Sequence, residues 1–440
     1  MAGGNWTTQN KVLPGVYINY SGNGNNPSVE GDSGIVGIPV ILPWLKEKTL
    51  ISLTRKESKS LESDFGKDAL LITEAMKNSA HVFLFRVNTG EKAAATIGNL
   101  VCTALYSGVY GNRLSVSIEN TVGQTGKYDV ITWLDTTEID RQTVADITSL
   151  AANKWIAFSK AATDTTLSVN AGTTLSGGTN GTPTSADYVD FLNQIELQTV
   201  NAVACPTDDA DIKALFIAFA KRMINDDGKY LQVVVPDSEA NFEGVISVKN
   251  GVILEDGTHI DNVAATAYIA GATAGCPLKE SLTNANYIGA VDVDERYTTA
   301  QQIEYAKSGH MVFIPSPVGG NSVLIQKDIN TLTAFTSSRT YAMSKNKVIR
   351  ILFNICNEIS NRGMLYYSGK VANNEDGRKL FQSDILSYFR SLEAEGVLHD
   401  VAPEDITVSK GELIDAIVVQ YGVRPVDVIE TIYNTIVVEG

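Results

Sequence analysis

Residues 428–438 read Val-Ile-Glu-Thr-Ile-Tyr-Asn-Thr-Ile-Val-Val, and nearly every position of this run favours a β-strand. Glu430 is its one charged residue, and it contains no proline. As a free strand edge, such a segment would be a template for aggregation, because its backbone groups could pair with another chain. The run therefore predicts a strand that either completes the sheet of its own domain or adds to the sheet of a neighbouring chain.

The beginning of the chain contains a second short strand on a loose tether. Residues 16–20 follow the turn pair Pro14-Gly15, and glycine and asparagine dominate residues 21–26. A tether of this composition lets the strand reach a sheet that is not its own. We predict that residues 1–26 form an arm that links neighbouring chains, although the spacing fits a first edge strand of the local domain equally well. The linking residues expected at the two ends are Val16, Tyr17, Ile18, Tyr20, Val428, Ile432, Tyr433, Ile436 and Val438.

Length, composition and net charge limit the kinds of protein that this chain can be. The chain has 440 residues, 44% of them hydrophobic and 19% charged, which is too long for one ordinary core and predicts several domains. A net charge of −15 disfavours binding to nucleic acid or to anionic lipid. No apolar run approaches the roughly 18 residues of a membrane span, and residues 1–10 do not resemble a secretion signal. We therefore expect no nucleic-acid or membrane partner and a cytoplasmic origin. The four cysteines are expected to be buried thiols: Cys102, Cys205, Cys276 and Cys356.

The order of secondary-structure patterns predicts an α+β or α/β multidomain protein. Helix and strand patterns alternate in residues 33–91 and again in 188–330, which indicates a sheet flanked by helices. Between them, residues 114–118 and 128–134 alternate with period two, which is typical of a β-rich insertion. A hinge-like loop is expected where this insertion ends, at residues 175–183. The predicted divisions are an arm (1–26), the first part of the core (27–91), the β-rich insertion (92–180), the second part of the core (181–335), and a C-terminal α+β domain (336–440) that includes a linking strand at 424–440.

The periodic segments predict the following elements. Helices are expected at 68–78, at 188–197 with Ser185 or Asp187 as the N-cap, at 208–224 with Asp208 as a possible cap, and at 298–308, 345–362 and 377–395. Strands are expected at 34–42, 81–87, 114–118, 128–134, 200–205, 231–236, 288–293, 311–315, 323–329, 405–408, 416–421 and in the final run.

Sequence signatures of catalysis are missing. The four histidines form no zinc-hydrolase spacing, and no nucleophile elbow, phosphate loop or dinucleotide fingerprint occurs. The acidic clusters near residues 208–211, 226–227 and 292–295 lack the ligand spacing of a calcium loop, so they fit solvated helix caps and loops better. The sequence thus predicts no catalytic residue, no cofactor and no metal.

Four stretches stand out, in order along the chain: Leu13–Ile18 (LPGVYI), Tyr110–Val116 (YGNRLSV), Leu175–Gly181 (LSGGTNG) and Val423–Tyr433 (VRPVDVIETIY). Together they resemble the contractile tail sheath proteins of myophages and R-type bacteriocins, above all those of Gram-positive bacteria. The first is similar to the family's opening, although Lys11 or Leu13 stands near its usual arginine. The second and third are similar to the two borders of the family's inserted β domain, and the fourth to the family's ending.

The resemblance implies a sheath subunit that polymerises helically around an inner tube and contracts to drive the tube through a target envelope. Terminal strands exchanged between subunits would hold the polymer together. The implied partners are the chain itself, the inner tail tube protein, and baseplate and tail terminator proteins. Assembly would take place in the bacterial host cytoplasm, before the subunit becomes part of a virion or phage-tail-like particle. The C-terminal domain would face the tube, and its charged helix surfaces are the expected tube contacts: Lys345, Lys347, Arg350, Arg378 and Lys379.

Two alternatives stay open on the sequence. The alternating stretch at 188–330 also fits an α/β enzyme with a β insertion, which would need a convergent pocket of titratable groups. A third reading is another self-assembling structural protein, such as a surface-layer or compartment-shell subunit. The absence of a secretion signal weighs against a surface layer, and the arm strands weigh against a simple closed shell.

Overall fold

The computed structural model describes residues 34–317 and 320–437 of the 440. The predicted N-terminal linking residues (Val16, Tyr17, Ile18 and Tyr20) and Val438 lie outside the described residues.

Strands and helices are numbered in chain order. The strands are β1 (Ile35–Val40), β2 (Leu50–Thr54), β3 (His81–Arg86), β4 (Ala94–Ile97), β5 (Leu100–Ala104), β6 (Leu114–Asn120), β7 (Tyr128–Leu134), β8 (Thr137–Val144), β9 (Ile156–Lys160), β10 (Asn170–Thr174), β11 (Ala202–Ala204), β12 (Gln232–Pro236), β13 (Val245–Val248), β14 (Val252–Leu254), β15 (His259–Ile260), β16 (Ala290–Val293), β17 (His310–Met311), β18 (Phe313–Pro315), β19 (Val323–Ile325), β20 (Ile406–Lys410) and β21 (Ile417–Tyr421). The helices are α1 (Arg55–Phe65), α2 (Leu70–Met76), α3 (Ser185–Ile195), α4 (Ala210–Asn225), α5 (Asn262–Gly275), α6 (Thr299–Lys307), α7 (Asn346–Arg362) and α8 (Glu375–Ala394).

A central sheet forms the body of the protein. Its strand order is β2-β3-β1-β11-β12-β13-β17, and every neighbouring pair is parallel except β2 with β3. Helices α2 and α5 cover one face, while α3, α4 and α7 cover the other. Because both faces are covered, β12 is buried at every position, which is typical of parallel sheets. The α/β core predicted from the alternating pattern is therefore present.

Helix α5 has no counterpart among the predicted elements. It is rich in alanine and glycine, and residues 265–274 are all buried, so the apolar periodicity that reveals an amphipathic helix is lost. The small residues allow close packing on α2: a Cβ atom at Gly271 would lie 2.2 Å from the Ala75 carbonyl oxygen. The helix caps also differ by one residue from those expected. Thr184 caps α3 with Asp187 completing the capping box, and Asp209 caps α4.

The β-rich insertion has its own core and a rigid attachment. Strands β10-β6-β7-β8 and β4-β5-β9 form two antiparallel sheets around a separate apolar cluster. The two chain crossings between insertion and core pack directly on each other: Cβ atoms at Gly90 and Gly181 would lie 1.9 Å and 2.0 Å from the carbonyl oxygens of Thr179 and Thr89. Beside them, the fully buried Arg86 donates hydrogen bonds to the carbonyls of Leu45 and Ser107. Residues 177–183 form a loop, as expected, and the two crossings at Gly90 and Gly181 leave no space between them.

The last hundred residues pack as a helix pair on a hairpin. Helices α7 and α8 share an apolar cluster that includes Ile355, Ile385 and Phe389. Strands β20 and β21 form a two-stranded antiparallel sheet beside them. Within the described part of the predicted final strand, residues 428–437 lie in no strand.

Candidate interaction site at the C-terminal end

The described end of the chain is an exposed apolar segment. Ile432 and Tyr433 have 81% and 95% of their surface exposed, and Ile429, Ile436 and Val437 are similarly open, while Val428 is half-buried. Large apolar side chains gathered in this way on a surface mark an interaction site. We call residues 431–437 the C-terminal arm, because the residues before them are attached to the body. The arm carries unpaired backbone groups and an apolar surface, which are the two requirements for adding a strand to another sheet.

Residues 424–426 attach the segment to the C-terminal domain. Pro425 forms an isolated antiparallel bridge with Leu398, and the amide of His399 donates to the Arg424 carbonyl at 3.1 Å. The Arg424 guanidinium binds both carboxylate oxygens of Asp405 at 2.7 Å. That contact holds the pKa of Asp405 below its usual range. These contacts fix the segment up to residue 426.

A second attachment follows at Lys345, the residue before α7. Its ammonium group bonds to the Asp427 carboxylate and lies 3.1 Å from Glu430 Oε2. The Thr283 hydroxyl donates to Glu430 Oε1 at 3.0 Å. Burial acts to lower the pKa of Lys345, but the Asp427 hydrogen bond and the Glu430 charge outweigh burial and raise it above its usual range. Lys345 is thus committed to the chain's own C-terminal segment.

The structure corrects the expected charged surface at the start of α7. Lys347 and Arg350 are 1% and 8% exposed, so they cannot form part of a solvated helix face, and Lys345 is occupied as described above. Arg350 Nη2 lies 2.9 Å from the fully buried Asp328 carboxylate. The physical reason is that the start of α7 enters the protein interior, where carboxylates distant in sequence pair with Lys345 and Arg350. No sequence pattern reveals those partners.

The other two expected cations lie on the surface of α8. Lys379 pairs with Glu375 at 2.6 Å, and both side chains are well exposed. Arg378 is half-buried and donates to Asn373 Oδ1 at 2.9 Å. Exposed pairs of this kind are weak and easily exchanged for another partner.

Each strand of the β20–β21 hairpin has an outer edge, whose backbone groups point away from the other strand. The Gly411 amide bonds to the Ala416 carbonyl and the Gly422 amide to the Asp405 carbonyl. Because ladder bonds in an antiparallel pair alternate, these two bonds turn the backbone groups of Ile417, Val419 and Tyr421 outward from β21. A two-stranded sheet is marginally stable by itself. The hairpin is therefore suited to receive an added strand, which sequence reasoning had not assigned to it.

Metal-ligating side chains do not cluster in the part of the chain that the structure describes. Within residues 34–317 and 320–437, no group of three or more His, Cys, Asp or Glu side chains could hold a metal ion. All four cysteines are buried and unpaired with one another, as expected, and burial raises the pKa of Cys102 to about 12. In the same residues, no helix has both the length and the apolar character needed to cross a membrane.

Family models match most of the chain. The phage tail sheath β-sandwich domain matches residues 88–180, the tail sheath central domain 181–331, and the tail sheath C-terminal domain 338–439. Among curated proteins, the phage-like element PBSX protein XkdK of Bacillus subtilis (strain 168) is 34% identical, over 98% of this chain and 99% of that protein. The uncharacterized protein YqbK of the same organism is also 34% identical, over the whole of both chains.

Solved structures agree with these matches. The sheath tail protein of Desulfitobacterium hafniense has a TM-score of 0.84 and 38% identity, over 94% of this chain and 97% of that chain. Lin1278, the sheath tail protein of Listeria innocua, has a TM-score of 0.80 and 29% identity, over 91% and 94%. The contracted helical sheath of the anti-feeding prophage shares the fold, with a TM-score of 0.54 and 13% identity, over 98% of this chain and all of that one. On these grounds, the chain belongs to the phage tail sheath protein family.

Proposed function

We propose that this chain is the repeating subunit of a contractile tail sheath and that its C-terminal arm joins one subunit to the next. The observation that carries the proposal is the exposed apolar arm, which forms no ladder within its own described chain. Such an arm gains stability by pairing with a neighbour's sheet. Tail sheath proteins are structural components. Membership of this family therefore accounts for the alternating helices and strands at 188–330 without an α/β enzyme or a compartment shell.

The outer edge of β21 is the receiving surface in this proposal. A strand of about seven residues would add a few backbone hydrogen bonds, each contributing ~1 kcal/mol net, together with its apolar side chains. One such link is weak, and many acting together are strong. Because donor and acceptor are different surfaces of the same molecule, the contact does not close in a pair and builds a helical filament. Residues 1–26 would supply a second exchanged strand.

Contraction would proceed with the bodies moving as rigid units while the arms bend. The packed crossings at Gly90 and Gly181 support rigid movement of insertion and core together. The proposed division remains arm (1–26), core (27–91 and 181–335), insertion (92–180) and C-terminal domain (336–440). The matches of the family models to residues 88–180, 181–331 and 338–439 support the last three of these boundaries. An inner tube, a baseplate and a terminator are the proposed partners, assembled in a bacterial cytoplasm. Arg378 and Lys379 remain the proposed tube contacts.

Truncation after Glu430 tests the arm. We expect the truncated chain to fold, because the arm buries little against its own body, and to form no tubes under conditions in which the full chain does. Electron microscopy reports assembly, and circular dichroism reports folding.

A matched pair of point variants separates the effect of an added charge from the effect of its position. Ile432→Asp should abolish tubes, whereas Ile414→Asp, at an equally exposed apolar site in the hairpin turn, should leave them intact. Normal tubes from the truncated chain would exclude the arm as the link.

A further inference from the structure

The contacts of Lys345 impose a conformation on the residues that precede the arm. Asp427 and Glu430 are three positions apart, yet both carboxylates reach the same ammonium group. Side chains along a β-strand alternate between its two faces, so residues separated by an odd number of positions point in opposite directions. Residues 427–430 therefore cannot bind Lys345 through both carboxylates and at the same time be part of a regular ladder.

We infer that Lys345, Asp427 and Glu430 form a latch that decides where the exchanged strand begins. This inference rests on the arm's proposed role for its consequence, but the latch itself is a property of the single chain. With the latch closed, a ladder with a neighbour starts at Thr431. With the latch open, it can start at Asp427, and four more residues, or ~13 Å of extended chain, become available.

Burial distinguishes the latch from an ordinary surface ion pair. The side chains of Lys345, Asp427 and Glu430 are 13%, 4% and 13% exposed, whereas the Lys379–Glu375 pair on α8 is mostly in solvent. Glu430 is held on its other side by Thr283. Removing the ammonium group would leave two shielded carboxylates close together, and an uncompensated buried charge is strongly unfavourable. The latch is therefore a defined state with a defined way of opening.

The released length is limited by the attachment that precedes it. The Arg424–Asp405 contact and the Pro425–Leu398 bridge do not involve Lys345, so they persist when the latch opens. A change in the distance between two subunits could then be taken up by residues 427–430 while the ladder formed by the arm stays intact. The C-terminal end thus contains a tether with two set lengths.

Cleavage of the purified monomer by a glutamate-specific endoprotease tests the latch without requiring assembly. The protease must accept the Glu430 side chain, which is engaged by Lys345 and Thr283 when the latch is closed. Lys345→Met should speed the cut after Glu430 by about tenfold or more, because local opening then exposes this glutamate. Asp427→Asn, which keeps Lys345 and the cleavage site, should speed it by a smaller factor. Intact mass reports the loss of residues 431–440.

Lys379→Met is the matched control, because it removes a lysine from an exposed ion pair and should leave the rate unchanged. If Lys345→Met does not fold, the Asp427→Asn rate decides. Cleavage within about twofold of the wild-type rate in a folded latch variant would overturn the latch and leave the arm's linking role untouched. If the full chain forms no tubes, the linking role of the arm is contradicted. The latch is then unaffected, because the cleavage measurement depends on the monomer alone.

Discussion

At the first turn of α7, Lys347 lies inside the protein beside another cation, Arg350. Arg350 is matched by the buried Asp328 carboxylate. The charge of Lys347 is compensated less completely than that of Arg350. Burial lowers the pKa of Lys347 to about 8, and the negative charge of Asp427 only partly opposes this effect. A group with this environment costs stability in its charged form. The residue that sequence reasoning placed on a tube-facing surface instead lies in the interior, where burial disfavours its charged form.

Replacing Lys347 by methionine should therefore stabilise the monomer at pH 7. Methionine keeps the aliphatic volume and removes the charge that burial disfavours, so we expect the free energy of unfolding to rise by about 1–2 kcal/mol, a figure reduced for solvent screening. Lys379→Met, in its exposed pair with Glu375, should change it by less than about 0.5 kcal/mol. Denaturant unfolding of the three proteins gives the comparison.

The same variant predicts a pH dependence. Below pH 8 the Lys347 side chain is protonated in both the folded and the unfolded form. The folded form then carries the full free-energy cost of burying the charged ammonium group. Between about 8 and the ordinary value of 10.5, the unfolded form binds more protons, so the wild type gains stability relative to Lys347→Met as the pH rises. The advantage of the variant should be largest below pH 8 and fade towards 10.5. An advantage that stays constant over this range would contradict the buried-charge explanation.

At the scale of elements, the outer edge of β21 and the C-terminal arm are the two parts proposed to pair with neighbouring chains. Val419→Pro removes an outward amide of β21 without removing a ladder bond inside the hairpin, and proline is tolerated on an edge strand. We expect the monomer to fold and tube formation to fail or to require a much higher protein concentration. Val419→Thr, which keeps the amide and the branched shape, should assemble normally. Tubes of Val419→Pro forming at the wild-type concentration would show that another edge receives the arm.

The helices and strands that were predicted correctly are those whose apolar residues recur at a regular spacing. Strand β7 matches the predicted segment Tyr128–Leu134 at both ends, and α4 and α8 differ by only one or two residues. Helix α5 escaped notice because a helix buried on all sides has no polar stripe. The strand predicted at 428–438 was identified by composition, and its described residues 428–437 lie in no strand. The proposed exchange with a neighbouring chain would supply the partner strand. Composition shows that a segment can pair, whereas pairing requires the second chain.

At the scale of the molecule, the sequence indicated the proposed interaction site but not the contacts that attach it to the body. The apolar run at the end of the chain pointed to the arm directly. Lys345, Asp427 and Thr283 come from three distant regions, and only the folded chain brings them together. The same limitation produced the error over Arg350, whose partner Asp328 lies 22 residues away in another segment. Charges that are neutralised by tertiary contacts read as surface charges in a sequence.

The central claim is that this chain polymerises into a sheath, and electron microscopy of the purified full-length protein at high concentration tests it most directly. A subunit whose exposed apolar arm pairs with the outer edge of β21 in a neighbour should give hollow, striated tubes with a helical repeat. Their diameter should be uniform, because each link has the same geometry. A strictly monomeric protein at every concentration, with residues 428–437 protected from hydrogen exchange by folding back on their own chain, would contradict the account.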